Sequence, residues 1–241
     1  MKTDSWLSKQ YIAHRGLHNN NFPENSLPSF ENAIKHGFAI ELDVHLLSDG
    51  TVAVFHDDSL KRMTGITGLI KELRFQDLQN CKLAGTDFCI PTFNQVLNLV
   101  KGKVPLLIEI KNDTKVGLIE RKLIEILKSY KGAFAVQSFN PYSLAYFKKY
   151  APEIPRGQLA GYFKGEKLSF VKKFILKKML LNKTVSSPDF ISYEADKLPN
   201  KYVEKYNNLP ILAWTIRNSQ QHEKVKKYCD NIIFENFEPR N

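Results

Sequence analysis

The chain has 241 residues, 25% of them charged and 43% hydrophobic, and its formal net charge is +10. This length is enough to bury a sizeable core, and the sequence contains no apolar run of the roughly 18 residues that a membrane span needs. Residues 1–10 lack the apolar stretch of a secretory signal, and the three cysteines form no zinc or redox spacing. We therefore expect a reduced, cytoplasmic protein whose positive charge favours anionic partners.

Short β-rich runs alternate with helical patterns along most of the chain. The predicted strands are 11–14, 39–44, 51–56, 104–110, 133–138, 155–160, 189–193, 210–215 and 231–234. The predicted helices are one starting at Leu27, capped by Asn25 or Ser26 and stopped at Gly37, one with a capping box at Thr92–Gln95, and one over Val116–Tyr130. This alternation predicts a mostly parallel sheet covered by helices. No linker or repeat interrupts it, so we expect a single domain over residues 1–241.

The second and third strands are joined by Ser48-Asp49-Gly50, which is too short for a parallel crossover. The Asp-Gly pair predicts a β-hairpin instead. With Asp49 and Gly50 as the turn residues, Ser48 faces Thr51 and Asp43 pairs with His56. Glu41, two residues before Asp43, would share their face of the hairpin.

Setting aside the returning hairpin strand leaves eight strands, the number that closes a (β/α)8 barrel. Active sites of such barrels gather where the strands end, and polar residues end the first strands here. They are His14, then Glu41 and Asp43, then Glu109 and Lys111. Charged groups inside apolar runs are costly to bury unless they are paired or bind a metal. The strand ends therefore predict a functional site.

The residue types at this rim favour a metal and a phosphate group. Glu41, Asp43 and Glu109 offer only oxygen ligands, which suit Mg²⁺ or Ca²⁺ better than zinc. Arg15 and Lys111 add positive charge of the kind that holds a phosphate.

Two histidines complete the predicted chemistry. His14 and His56 can exchange protons near neutral pH. Together with the metal and the cations they predict phosphodiester hydrolysis, in which one imidazole deprotonates the nucleophile and the other protonates the leaving alkoxide. The sequence leaves open which histidine takes which part.

These motifs also carry a family resemblance. AHRG, PENS, ELDVHLLSDGTVAVFHDDSLKRMTG, IPTFNQVL, IEIK, QSF and AWTI occur in this order, and the chain from about Tyr11 onward resembles the glycerophosphodiester phosphodiesterase family. The resemblance implies a distorted (β/α)8 barrel with a small insertion at about residues 57–90. It implies the same metal ligands, acid/base histidines and phosphate-binding cations as the residue pattern does. One departure is Glu235-Asn236 after the last strand, where the family usually has Thr-Asp or Thr-Asn.

The implied activity is hydrolysis of small glycerophosphodiesters to sn-glycerol 3-phosphate and an alcohol, with no nucleic-acid partner. Two alternatives stay open. The same site can serve phospholipase C- or D-like cleavage of lysophospholipids, or the barrel can bind phospholipid head groups without catalysis. The oligomeric state is not indicated.

Several nearby residues have less specific readings. Trp214 ends a strand and is predicted either to wall the glycerol pocket or to pack in the core. Glu24 and Asn25 are predicted to be structural, Glu24 by bonding loop amides and Asn25 by capping a helix. His45 is expected at the rim in no assigned role. Asp57 follows His56 and can orient its ring, but in an extended strand its side chain would point the other way.

Residues 164–183 contain seven lysines and one acidic residue, Glu166, interleaved with apolar side chains. The apolar side chains spread nearly all round a helical wheel, which is more than one buried stripe requires. We therefore predict contact with an anionic membrane surface, and hence a membrane-associated location, through this segment. The alternative is an ordinary barrel helix with solvated lysines.

Overall fold

A computed structural model describes residues 5–112, 115–162 and 169–239 of the chain. Strands and helices alternate along it, and an antiparallel hairpin interrupts the alternation after the second strand. The structure divides into two compact units, one of residues 13–134 and one of residues 1–12 with 135–241. The organisation as a single domain stays a prediction.

Each of the nine predicted strands is present, with bounds that differ by at most two residues from those predicted. The strands are β1 (Ile12–Ala13), β2 (Ala39–Leu46), β3 (Val52–Val54), β4 (Leu106–Ile110), β5 (Phe134–Ser138), β6 (Arg156–Ala160), β7 (Phe190–Glu194), β8 (Ile211–Ile216) and β9 (Asn231–Phe234). Eight strands remain when the hairpin strand β3 is set aside, as the sequence predicts.

The three predicted helices are also present. The helices are α1 (Leu27–Lys35), α2 (Lys61–Thr64), α3 (Phe93–Val100), α4 (Leu118–Leu127), α5 (Pro141–Tyr150), α6 (Phe170–Lys177) and α7 (Ser219–Val225). Of the two candidate caps of α1, Ser26 is the one used, because its hydroxyl accepts from the backbone N–H of Ser29. The capping box of α3 forms between Thr92 and Gln95. None of the described helices is long and apolar enough to cross a membrane.

In the unit of residues 13–134, β2 runs parallel to β4 and antiparallel to β3. The hairpin register differs from the predicted one by one residue, because Val44 pairs with Val54 and Phe55 N donates to the carbonyl of Asp43 at 3.0 Å. The prediction that Asp43 pairs with His56 is therefore wrong. The cause is the turn, which has three residues: Leu47 N donates to the Thr51 carbonyl at 2.8 Å, and Gly50 takes a left-handed φ of +82°.

The predicted insertion at about residues 57–90 packs on the hairpin. It carries α2, and its apolar side chains share one cluster with Leu47, Ala53 and Phe55 of the hairpin. Its buried members are Leu60, Met63, Ile70, Leu78, Cys81, Leu83 and Ile90. The carboxylate of Asp49, in the hairpin turn, also accepts from Phe75 N at 2.8 Å. The insertion is thus fixed to the strand pair by both packing and hydrogen bonding.

In the other unit, strands β5 to β9 pair in sequence order, each parallel to the next. The core of this unit includes a buried cluster around Tyr193, whose hydroxyl donates to the Lys177 carbonyl at 3.2 Å. This bond ties the end of α6 to β7.

Candidate active site

The loop after β1 is held against β2 by the backbone. Arg15 N donates to Glu41 Oε2 at 2.9 Å, and Gly16 N donates to the Glu41 carbonyl at 3.2 Å. Gly16 has a φ of +81°, and a Cβ there would lie 2.5 Å from Ser29 Oγ. Only glycine fits this close approach, and the tight turn brings half-buried His14 and Arg15 to the end of β1.

Three buried carboxylates form the centre of the site. Glu41 and Asp43 lie on the same face of β2, and Asp43 is the register partner of Glu109 on β4. They are 1%, 1% and 7% exposed, and one oxygen of each lies within 4.8 Å of the others. Burial, then the neighbouring charges of Asp43 and Glu109, raise the pKa of Glu41 well above its usual value. Oxygen-only donors that repel one another at this spacing fit a hard divalent cation.

Two cations face this acidic cluster. Lys111 Nζ lies 3.0 Å from Asp43 Oδ1 and also contacts Glu109 Oε1, and Arg15 Nε lies 3.5 Å from Asp43 Oδ2. Burial alone would raise the pKa of Asp43, but the charges of Lys111, His56 and Arg15 outweigh it and hold this pKa well below its usual range. Asp43 is therefore the firmly ionised member of the cluster.

Asn25 is part of the site rather than a helix cap. Its amide nitrogen donates to Asp43 Oδ2 at 2.8 Å, and Asp43 N donates back to its amide oxygen at 3.3 Å. Its φ is +54°, a conformation that asparagine tolerates better than most residues do. The predicted capping role is wrong, since Ser26 caps α1. The sequence did contain a signal for the role of Asn25, because one helix needs only one capping residue and Ser26 directly follows it.

His56 is held by the residue that follows it. Its Nδ1 lies 2.6 Å from Asp57 Oδ1, so the prediction that Asp57 points away is wrong. Strand alternation does not apply here because β3 already ends at Val54. His45, predicted as a rim residue in no assigned role, is buried, and its Nε2 lies 3.2 Å from the carbonyl oxygen of His56. The backbone and the ring of His56 are thus both anchored.

A residue that sequence reasoning missed, Arg62 of α2, connects the two sides of the site. It contacts Asp57 and Glu24, and Glu24 in turn accepts from Arg15 Nη1 at 2.7 Å. Glu24, predicted to bond loop amides, instead binds two guanidinium groups. Burial raises the pKa of Glu24, but Arg62 and Arg15 lower it by more. Nothing in the local pattern marked Arg62, which lies in the insertion.

The structure brings seven of the eight predicted site residues into the unit of residues 13–134. They are His14, Arg15, Glu41, Asp43, His56, Glu109 and Lys111. The eighth, Trp214, belongs to the other unit. There it lies half-buried on β8 with its ring edge-on to Phe139, at 5.7 Å between centroids. Its substrate-binding role stays a prediction.

Catalytic side chains at the carboxyl ends of several parallel strands are typical of (β/α)8-barrel enzymes. A sequence model described as the Glycerophosphoryl diester phosphodiesterase family matches residues 14–237. The chain therefore belongs to this family, and the resemblance drawn from the motifs is confirmed.

Individual relatives and a solved structure are similar to this chain over different spans. A glycerophosphodiester phosphodiesterase of Caldanaerobacter subterraneus is 36% identical over 61% of this chain and 65% of its own length. A lysophospholipase D of Rattus norvegicus is 33% identical over 54% of this chain and 44% of its own length. The chain spans less than two thirds of the length of either relative.

The solved structure is that of an Oleispira antarctica phosphodiesterase in complex with the product sn-glycerol-3-phosphate. It is 26% identical to this chain, with a TM-score of 0.77 over 94% of this chain and 92% of that one. The agreement over nearly all of both chains confirms the predicted fold class, a (β/α)8 barrel with a hairpin and insertion after the second strand.

Proposed function

We propose that this protein hydrolyses glycerophosphodiesters to sn-glycerol 3-phosphate and an alcohol, in a reaction that depends on a divalent metal ion. Family membership and the product complex of the similar Oleispira phosphodiesterase support this reaction. The observation that carries the proposal is the buried acidic cluster, whose three carboxylates approach within 4.8 Å while Arg15 and Lys111 lie against it.

Each group in the cluster has a distinct part in the proposed reaction. Glu41, Asp43 and Glu109 would hold the ion, Mg²⁺ or Ca²⁺, which when bound neutralises charge on phosphoryl oxygens. Arg15 and Lys111 bind the phosphate and stabilise the charge that develops on it. Both cations contact Asp43, which supports a phosphate site beside this carboxylate.

His14 and His56 act as the acid/base pair in this proposal. One takes a proton from the nucleophile, and the other gives a proton to the leaving alkoxide. The bond of His56 Nδ1 to Asp57 leaves its Nε2 to make the transfer. His14 directly follows β1 and precedes Arg15, which supports a part for both residues in the same site.

The proposal is tested by measuring release of glycerol 3-phosphate from a panel of glycerophosphodiesters, with Mg²⁺ and Ca²⁺ supplied separately. Activity should require one of the ions and stop with excess chelator. Full activity in protein shown to be free of metal would contradict metal dependence. Binding of diesters without turnover would favour the non-catalytic alternative.

A second substrate class, lysophospholipids, is favoured by the surface of α6. Phe170, Val171 and Phe174 are 82%, 64% and 42% exposed, an unusual concentration of apolar side chains in one short helix. Lys178 Nζ lies 3.8 Å from the centroid of the Phe174 ring, which puts positive charge directly beside this apolar surface. Such a mixture fits an anionic lipid surface. Lys164 and Lys167 of the predicted segment, and the side chain of Lys172, lie outside the described residues.

Cosedimentation with anionic vesicles at low and high salt tests this contact. Binding should need anionic lipid and weaken when Lys173 and Lys178 are both changed to Gln. A matched control replaces Lys226 and Lys227 of the α7 end by Gln, which removes the same charge elsewhere in the chain. No binding at low salt, or equal losses in both double variants, would contradict a specific role for α6.

A further inference from the structure

One side chain outside the acidic cluster binds two carboxylates at once. Arg62 donates from Nε to Asp57 Oδ2 at 2.6 Å and from Nη2 to Asp57 Oδ1 at 2.9 Å. It also donates from Nη2 to Glu24 Oε1 at 2.7 Å and from Nη1 to Glu24 Oε2 at 2.9 Å. The guanidinium group thus makes a bidentate contact to each carboxylate. Its Nη1 also donates to Met63 Sδ at 3.1 Å.

Each of these carboxylates is shared with a residue of the site. Asp57 Oδ1 is also 2.6 Å from His56 Nδ1, and Glu24 Oε1 also accepts from Arg15 Nη1 at 2.7 Å. A continuous path of short contacts therefore joins the imidazole after β3 to the guanidinium after β1, and Arg62 is its middle member.

We propose that Arg62 is a positioning residue that fixes the orientation of both His56 and Arg15. It acts through Asp57 on the imidazole of His56 and through Glu24 on the phosphate-binding guanidinium of Arg15. This inference rests on the proposed function and adds to it a role for the insertion. Arg62 makes no described contact with the acidic cluster, so it acts through the two site residues and not on the ion or the substrate.

The arrangement needs arginine in particular. Arg62 binds two carboxylates from different segments through the rigid, planar fork of its guanidinium donors. A lysine ammonium is instead a single point of charge on a flexible stem. Arg62→Lys should therefore keep the positive charge but lose the geometry that orients both partners. If Arg62 contributes only its charge or only supports folding, the opposite is expected, namely that Arg62→Lys keeps the wild-type activity.

The experiment compares Arg62→Ala, Arg62→Lys and Arg62→Gln with the wild type in glycerol 3-phosphate release. We expect kcat/KM to fall about 10–100-fold in all three, the usual effect of removing a partner that orients a site residue. KM should rise and kcat should fall together, because Arg15, which binds the phosphate, and His56, which transfers a proton, both lose their positioning. Added guanidinium ion, at millimolar and non-denaturing concentration, should restore activity to Arg62→Ala, since the Arg62 side chain is 48% exposed and its place is open to solvent.

A second readout does not depend on turnover. The ring nitrogen and carbon NMR signals of His56 should shift in Arg62→Gln in the same direction as in Asp57→Asn. Both variants weaken the hydrogen bond between His56 Nδ1 and the side chain of residue 57. The control is Lys61→Gln, the neighbouring exposed cation of α2, which should leave the His56 signals and the kinetics unchanged.

The inference is overturned if Arg62→Lys has wild-type kinetics, or if the His56 signals are the same in Arg62→Gln as in the wild type. It is also overturned if the loss in Arg62→Ala matches its loss of folded protein and guanidinium restores nothing. Lack of activity in the wild type would count against the proposed function instead, and the NMR comparison would still decide whether Arg62 positions His56.

Discussion

Asp43 and Glu109 are register partners on the adjacent parallel strands β2 and β4, and the ammonium group of Lys111 contacts both carboxylates. The backbone pairing itself therefore sets the distance between two of the proposed metal ligands. A change of either side chain alters the donor set without altering the strands.

The first prediction concerns metal binding. Asp43→Asn keeps the size of the side chain but removes the charge of the firmly ionised ligand, so divalent-ion binding and activity should both be lost while the fold is kept. Isothermal titration with Mg²⁺ and Ca²⁺ measures the binding, and circular dichroism checks the fold. The control is Glu125→Gln on the exposed face of α4. Wild-type ion affinity in Asp43→Asn would exclude Asp43 as a ligand.

The second prediction concerns proton transfer. His14→Ala and His56→Ala should each lower kcat about 10²–10⁴-fold, the usual contribution of a general acid or base, with substrate binding largely kept. A diester with a good leaving group needs no general acid, so one of the two variants should recover much of its rate on that substrate. If both variants are slowed equally on activated and ordinary diesters, neither histidine is the general acid.

The third prediction concerns the turn that carries His14 and Arg15. Gly16→Ala forces a Cβ to within 2.5 Å of Ser29 Oγ at a φ of +81°, so it should strongly destabilise the protein. Gly37→Ala is the matched control, because its φ is +72° but a Cβ there meets nothing within 4 Å. It should cost only the left-handed backbone penalty of about 1–2 kcal/mol. Urea unfolding compares the two, and equal losses would mean that the close approach at Gly16 is unimportant.

The fourth prediction concerns acid stability. Burial would raise the pKa of Asp57, but its hydrogen bonds and charge contacts with His56 and Arg62 lower it below its usual range. A carboxylate with a lowered folded pKa stabilises the protein above its unfolded value of about 3.9, and this stabilisation is lost as the pH falls through the folded value.

Wild type should therefore be more stable than Asp57→Asn at neutral and mildly acidic pH, and the difference should shrink below about pH 4. Urea unfolding of both proteins across this range measures it. A difference that stays constant or grows on acidification would contradict an ionised Asp57 in the folded protein.

Most of the fold and the acidic cluster could be predicted because they follow local rules. The alternation of strands and helices can be predicted from the spacing of apolar residues. Residues two apart, such as Glu41 and Asp43, lie on the same face of any strand. The hairpin register was predicted one residue off, because Asp-Gly is compatible with both a two-residue and a three-residue turn. A two-residue type I′ turn needs a positive φ at both Asp49 and Gly50, whereas of these two residues only Gly50 has one.

The supporting residues could not be predicted, because they depend on contacts between distant segments or on the backbone leaving regular geometry. Arg62 meets Glu24 across 38 positions of sequence, which no local pattern reports. Asn25 reaches Asp43 from a left-handed conformation, and Asp57 turns toward His56 because the strand has ended. Each of these signals exists only after the chain has folded.

The contact network has a consequence for its overall charge. It contains five carboxylates and three permanent cations, namely Glu24, Glu41, Asp43, Asp57 and Glu109 with Arg15, Arg62 and Lys111. Fully ionised, these groups carry two negative charges in excess, which is what one divalent cation cancels. Burial raises the pKa of Glu41 most, and the neighbouring charges of Asp43 and Glu109, which are part of this excess, raise it further. If the proposed function holds, a divalent ion would bring the network to neutrality, so that no net negative charge would oppose an anionic phosphodiester, whereas a monovalent ion would leave one negative charge.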